Sequence, residues 1–342
     1  MNQFYDRPIS SSHFFINAPY ARTRREATRH YLSSSKFLEY QPALSNSEKV
    51  IHRISHPASI ESVIDRQVVL QTNDTIRKSV RVNLSNLRAE KDTLQLLRAS
   101  TSIPVPRVYD YYKTAEFEHL VMEKMPGITL EEAWPALEPY NREKIADEVV
   151  TFLDEIRKLR SPRIEAALLH RKPLRSGLAD VADFIYERFK QFPSNEYIFA
   201  YVQTRIAGLH PQQNLFTHGD LDWSNILVVD NKVSGIIDWE SSGYFPAFWE
   251  WVSIRRCAEV QQLNSWSQLL ANRLGSSECT QWDGMWQLEL LHKALGQYTQ
   301  WALTPEDREV NRTRGWDKVT RILGQECAPP SVINYSISSK HP

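Results

Sequence analysis

No glycine occurs before Gly127, although the 342-residue chain holds eleven. That absence excludes a glycine-rich phosphate loop from the first third, because only glycine lets backbone amides wrap a phosphate that closely. Cysteine is scarce too: Cys257, Cys279 and Cys327 are far apart and form no Cys-x-x-Cys pair. This excludes a disulfide framework and a structural zinc site, and predicts buried thiols in a reducing compartment, the cytoplasm. No apolar run approaches the roughly 20 residues needed to cross a bilayer. The start, Met1 to Asp6, lacks the basic-then-apolar pattern of a leader. Net charge is absent as well: 41 basic residues balance 41 acidic ones, which argues against nucleic acid as a partner. With 42% apolar and 24% charged residues, the chain reads as an ordinary globular protein long enough for two lobes.

The first third is rich in strands. Residues 1–45 are Ser-, Arg- and aromatic-rich with weak periodicity, and read as an extension packed on the body. Gln67–Gln71 and Thr75–Val82 are strand-like, and Asn73-Asp74 between them signals a hairpin. A helix is predicted from Asn86 to Ala99, with Leu87, Leu94 and Leu97 on one side. Ser102–Val108 must be extended, because each of its prolines disfavours helix in the residue before it. His119–Glu123 reads as a buried strand closed by Pro126-Gly127. The pattern then turns helical. Ile145, Val149, Phe152, Leu153, Ile156 and Leu159 make one apolar stripe, and further helices are predicted at 178–191, 194–207, 246–273 and 281–302. The expected organisation is an extension (1–45), a strand-rich lobe (46–124) and a helical lobe (125–342), with a cleft between the lobes.

The segment Thr217-His218-Gly219-Asp220 through Val229, followed by Gly235-Ile236-Ile237-Asp238-Trp239-Glu240, carries the chemistry. Asn214–Thr217 enters as a strand, and Gly219 permits a tight turn that leaves the Asp220 carboxylate free. Ile226–Val229 and Ser234–Ile237 form a hairpin about Asp230-Asn231. Asp238 then falls at the end of the returning strand, so Asp220, Asn225 and Asp238 are predicted to converge. Asp220 can orient or accept the proton of a hydroxyl. Asn225 offers a neutral oxygen and Asp238 an anionic one to a hard cation. Singly, each residue is better read as part of an ordinary turn; together, between strands, they point to phosphoryl transfer. His218 is read as packing or hydrogen bonding beneath the turn.

His-Gly-Asp-x-x-x-x-Asn followed by Ile-Ile-Asp-Trp-Glu resembles the aminoglycoside phosphotransferase and choline kinase-like family, related in fold to protein kinases. Thr101-Ser102-Ile103-Pro104-Val105-Pro106, Val121–Gly127 and Gly243-Tyr244-Phe245-Pro246 resemble its fungal branch. The likeness spans about residues 60 to 325. It implies an α+β, protein-kinase-like fold with a small antiparallel-sheet N-lobe and a larger, mainly helical C-lobe. It also implies an ATP- and Mg²⁺-dependent transferase acting on a small-molecule hydroxyl. On this resemblance Asp220 is the catalytic residue and Asn225 and Asp238 are the metal ligands. The hinge near Met122 to Met125, with Glu123 and Met125, holds adenine.

The nucleotide lysine follows from strand alternation. Ile76, Lys78, Val80 and Val82 share one face of their strand, and Arg77, Ser79 and Arg81 the other. Lys78 thus points inward, where an unpaired ammonium is costly, and Glu90 on the next helix can supply the counter-charge. Two departures from the family stand out. Without glycines the phosphate cover would fall to a segment such as Ser55–Ser59, and Asp222 stands where the family often has His, as a turn cap or a further acid. Trp239, Tyr244, Phe245, Phe248, Trp249 and Trp251 are mostly core, with one or two rings, and Glu240 or Glu250, available to an acceptor. No strongly acidic pocket of the kind that suits an aminoglycoside is evident. A kinase-fold protein that binds ligand without phosphate transfer, or one repurposed for other chemistry on a secondary metabolite, remains the alternative.

Overall fold

The computed structural model describes residues 48–55, 64–166, 168–169, 172–173, 178–193, 195–207, 213–260, 265–275, 279–300, 305–325, 327 and 329. They belong to two compact units. One comprises Met1–Leu137, Asp222–Ile237 and Cys257–Gln268, and the other Glu138–Leu221, Asp238–Arg256 and Leu269–Pro342. Residues 1–45 and 56–59, which bear on the predicted extension and phosphate cover, lie outside the described residues, as do the side chains of Cys257 and Cys279.

The first unit is built on an antiparallel sheet. Strands β1 (Lys49–Ser55), β2 (Ile64–Leu70), β3 (Thr75–Arg81), β4 (Val108–Lys113) and β5 (Phe117–Glu123) run in the order β1-β2-β3-β5-β4. The β2–β3 hairpin closes with Gln71 N–H donating to Thr75 O at 2.9 Å, and Thr72 and Thr75 hydroxyls bonded at 2.7 Å. Helix α1 (Leu87–Ser100) follows, burying Leu87, Leu94 and Leu97 and, among them, Glu90. It stops where Thr101 turns extended, and the Ile-Pro-Val-Pro run keeps the chain extended afterwards, with Ile103 and Val105 buried.

Alternation in β3 holds only in part. Lys78 and Val80 are buried, but so are Arg77 and Ser79 on the opposite face. Arg77 meets Glu48 at 3.0 Å, and Ser79 is hydrogen bonded to His119 Nδ1 at 2.8 Å, so that face is buried through polar pairing. Val82 leaves the strand altogether: it is 41% exposed and opens a 3₁₀ turn, Val82–Leu84.

After Gly127 a short strand, β6 (Ile128–Thr129), leads into α2 (Leu130–Ala133). Thr129 and Glu132 form reciprocal side chain–backbone caps there. The same unit contains a second antiparallel sheet whose strands carry the downstream hairpin, described with the site below.

In the second unit, α3 (Pro139–Ile156) starts on a proline at its first turn. It buries Ile145, Ala146, Val149, Leu153 and Ile156, while Phe152 and Leu159 are half-buried. Short strands β7 (Arg160–Ser161), β8 (Glu165–Ala166), β9 (Leu168–Leu169) and β10 (Lys172–Pro173) precede helices α4 (Val181–Phe189) and α5 (Glu196–Ala207). Strand β11 (Asn214–Thr217) then enters a sheet. Strands β12 (Ile226–Val229) and β13 (Lys232–Ile236), which belong to the first unit, are followed by β14 (Gly243–Pro246). In the second unit the sheet order is β7-β11-β14-β8; in the first it is β13-β12-β6.

Instead of one helix over 246–273, the chain forms α6 (Trp249–Val260) and α7 (Ser265–Gly275). The first starts late because Gly243–Pro246 is taken by β14, pairing Thr217 with Gly243. Helices α8 (Cys279–Tyr298) and α9 (Pro305–Leu323) finish the described chain. Gly315 lets them approach, since a Cβ there would lie 2.4 Å from the Tyr298 backbone nitrogen. Phe184 meets Phe245 and Trp249 edge to face in the core of this unit, with Arg188 over Trp249 and paired to buried Glu289.

Candidate active site

In the first unit, β3 presents Lys78 toward α1, where its Nζ lies 2.8 Å from Glu90 Oε2. Both side chains are almost fully buried, 11% and 2% exposed, so the pairing offsets part of the cost of burying each charge. At the end of β5, Glu123 is tied to the chain crossing beside it. Its N–H donates to Arg107 O at 2.8 Å, its Oε2 accepts Arg107 N–H at 3.1 Å, and Arg98 lies at 3.9 Å. Lys124 N–H donates to Asp74 O at 2.8 Å.

The segment that follows closes on the β12–β13 hairpin. Ser234 Oγ donates to Pro126 O at 2.7 Å, and a Cβ on Gly235 would sit 3.1 Å from the Met125 side chain. Gly127, at φ 106, lies so near Val228 that a Cβ would come within 2.5 Å of its carbonyl oxygen, a position only glycine can hold. The hairpin itself turns on Asp230 and Asn231, both at positive φ (50 and 60), which suits a tight two-residue turn. At its start Asn225 is buried. Its N–H donates to Asp222 O at 2.9 Å, and its carbonyl accepts Ile237 N–H at 2.9 Å, the residue immediately before Asp238. Asp222 opens this turn, and its carboxylate accepts the Ser224 hydroxyl at 3.3 Å.

In the second unit, β11 ends at Thr217 and the chain reverses through Gly219, at φ 76. Glu250, fully buried on α6, accepts His218 N–H at 2.6 Å and Gly219 N–H at 3.3 Å. Burial pushes the Glu250 carboxyl up from its usual range, opposed by His218 and Arg157. His218 is buried, accepts Asp220 N–H on Nδ1 at 3.3 Å, and packs tilted against Trp239 at 4.4 Å between ring centroids. Gly219 approaches the next turn so closely that a Cβ would lie 2.6 Å from Ser241 O. These contacts set the Asp220 turn against the Trp239–Ser241 turn that Asp238 opens. Asp238 itself adopts left-handed backbone, φ 64 and ψ 58, which costs any residue with a Cβ although Asp tolerates it better than most.

The structure thus brings Lys78 and Glu90 together in one unit, and the turns bearing Asp220 and Asp238 together in the other. Glu123, Met125 and Asn225 all sit in the unit that holds Lys78. Asp220 is not free: it is 7% exposed, and Arg256 Nη2 on α6 lies 3.9 Å from its Oδ1. Nor is Glu250 available to an acceptor, because both of its oxygens hold the turn amides from beneath. Trp239, Phe245, Phe248, Trp249 and Trp251 are all core. Sequence reading overlooked Arg256. The visible signal is an arginine pair, Arg255-Arg256, directly following the buried run Trp249–Ile254.

The phosphotransferase enzyme family matches residues 60–283, and the chain belongs to that family. A curated aminoglycoside 3'-phosphotransferase of Enterococcus faecalis is 27% identical over 184 residues, 50% of this chain. That match spans only 64% of the enterococcal enzyme's own length. Among solved structures, aminoglycoside phosphotransferase APH(4)-Ia superposes with a TM-score of 0.51 at 14% identity, over 80% of this chain and 94% of that one. ADP-bound APH(2'')-Ib does so with a TM-score of 0.51 at 15% identity, over 80% and 93%. The fold is accordingly α+β and of the kinase-like kind these enzymes share.

Proposed function

We propose that the protein transfers the γ-phosphate of ATP to a hydroxyl of a small molecule. The observation that carries this reading is the Asp220 turn. A buried carboxylate grips its amides, and it is packed against the turn that starts at strained Asp238. A turn held so firmly from beneath presents its carboxylate in one orientation, as transfer to a positioned hydroxyl requires. Asp220 orients the acceptor and takes its proton.

The donor set fits Mg²⁺: the Asn225 amide oxygen and the Asp238 carboxylate are the hard oxygen ligands that this ion prefers. When bound, Mg²⁺ neutralises charge on the phosphates. Lys78, paired with Glu90 at 2.8 Å, would contact the nucleotide phosphates, and the chain at Glu123 and Met125 would border adenine. Among the described residues no helix is long and apolar enough to cross a membrane, and a reducing, ATP-rich compartment, the cytoplasm, suits this chemistry.

The test is single-turnover transfer from labelled ATP to a panel of hydroxyl-bearing metabolites, with calorimetry of Mg²⁺-dependent nucleotide binding alongside. Asp220→Ala is expected to abolish transfer and keep nucleotide affinity. Unchanged turnover in that variant would refute the role, and no binding at millimolar ATP would favour a kinase-fold protein without transfer.

A further inference from the structure

Arg256 stands at the reacting carboxylate, yet the family resemblance assigns it no part. It lies on α6 with its Nη2 3.9 Å from Asp220 Oδ1, and both side chains are largely buried, 16% and 10% exposed. At 3.9 Å this is a charge contact rather than a formed hydrogen bond. The buried Nε of Arg256 has no hydrogen-bond partner. A guanidinium carries five N–H donors in a fixed fork. One edge leans loosely toward Asp220, and at least one inner donor is shielded from water without an acceptor.

Two other charges on the same helix are committed. Glu250 holds the His218 and Gly219 amides. Neighbouring Arg255 is stacked 4.7 Å from both the Trp251 and Trp286 rings and lies 3.7 Å from Asp283. Asp220 therefore faces a partly buried cation with spare donors. A polycationic acceptor brought to Asp220 would meet Arg256 in repulsion, whereas a planar anion could take the fork in two parallel hydrogen bonds.

Resting on the proposed phosphotransferase reading, we propose that the acceptor is a hydroxy acid: Asp220 takes its hydroxyl proton, that oxygen bonds the γ-phosphorus as ADP leaves, and Arg256 holds its carboxylate as the specificity-determining contact. Phosphorylation of such a compound leaves the carboxylate untouched, so Arg256 serves in binding and alignment only.

The test pairs hydroxy carboxylates, aliphatic and aromatic, with their methyl esters, and includes a polycationic aminoglycoside. The full chain is used with ATP and Mg²⁺, phosphorylated product is measured directly, and binding is followed by calorimetry with a non-hydrolysable ATP analogue present. The free acid is expected to exceed its ester in kcat/KM by about 10- to 100-fold, the range of one charge-assisted contact. Arg256→Gln should collapse that ratio toward one, mainly through KM, and Arg256→Lys should restore part of it, since it keeps the charge and loses the fork.

Equal use of acid and ester, preference for the aminoglycoside, or an unchanged ratio in Arg256→Gln overturns the proposal and leaves phosphoryl transfer standing. Neither turnover nor binding of any acid with the nucleotide bound also overturns it. Failure to bind nucleotide at all would instead sink the phosphotransferase reading, and this inference with it.

Discussion

Glu250 on α6 accepts the backbone N–H of His218 at 2.6 Å, across 32 positions of sequence, and so ties the turn that presents Asp220 to the core of its unit. Removing this carboxylate strands two buried donors. Glu250→Ala is expected to lower stability by roughly 2–4 kcal/mol in urea unfolding and to cut transfer sharply, with Glu250→Gln milder because it keeps one acceptor oxygen. Burial raises the Glu250 carboxyl above its unfolded value, so the native state holds that proton more tightly. Its favourable contribution is complete below the unfolded pKa and is lost as pH rises through the folded one. Glu250→Gln should flatten that part of the stability profile.

Gly219 is required for conformation and for space, since it has φ 76 and a Cβ would meet Ser241 O at 2.6 Å. Gly219→Ala must shift the turn. Transfer should fall by about 100-fold, the order expected when a reacting group is displaced by about 1 Å, while nucleotide binding by calorimetry changes little. A matching loss of nucleotide affinity would contradict this local account.

Lys78 and Glu90 form a buried pair, so their stability role can be separated from their chemistry. Lys78→Met alone leaves a buried carboxylate without its cation and should destabilise by about 3–5 kcal/mol. The double variant Lys78→Met, Glu90→Leu should regain much of that stability in thermal unfolding and remain inactive. Recovery of turnover along with stability would show that the pair is only structural.

Asp238 holds left-handed backbone. Asp238→Gly and Asp238→Ala both remove the carboxylate, so both should abolish Mg²⁺-dependent transfer. They should differ in stability, with glycine the more stable by about 1 kcal/mol because it alone lacks the Cβ penalty. Equal urea midpoints would mean that the turn relaxes in both.

His119 lies on the buried polar face of β5, bonded to Ser79 and stacked 4.6 Å from Tyr112. Burial, and then the Arg77 charge, hold its pKa down to about 4. Between that value and 6.5 the unfolded chain binds the extra proton, so stability should fall as pH drops through this window. His119→Gln should show a shallower fall in urea midpoints, and an unchanged slope would place the pH dependence elsewhere.

Local pattern made much of this protein legible. Alternation along Thr75–Arg81 marks Lys78 as inward, Gly219 and Asp230-Asn231 mark their turns, and the apolar stripe from Ile145 marks α3. These are nearest-neighbour effects of backbone sterics and residue type, which a sequence states directly. Arg77 and Ser79 show where that legibility ends. Alternation assigned them to the face opposite Lys78, but their burial depends on Glu48 and His119, partners that local period cannot supply. Glu250 could likewise have served an acceptor or a backbone; packing of α6 beneath the His218 turn chose the backbone.

By itself, the sequence determined the chemistry available: a carboxylate, an amide and a second carboxylate at turns between strands, with an inward lysine and no glycine loop. Tertiary structure alone decided that Asp220 shares its position with a cation. The spacing of Asp220 and Arg256 along the chain carries no periodic signal. Their meeting arises because β11 and β14 pair, α6 follows directly, and Glu250 locks that helix under the turn.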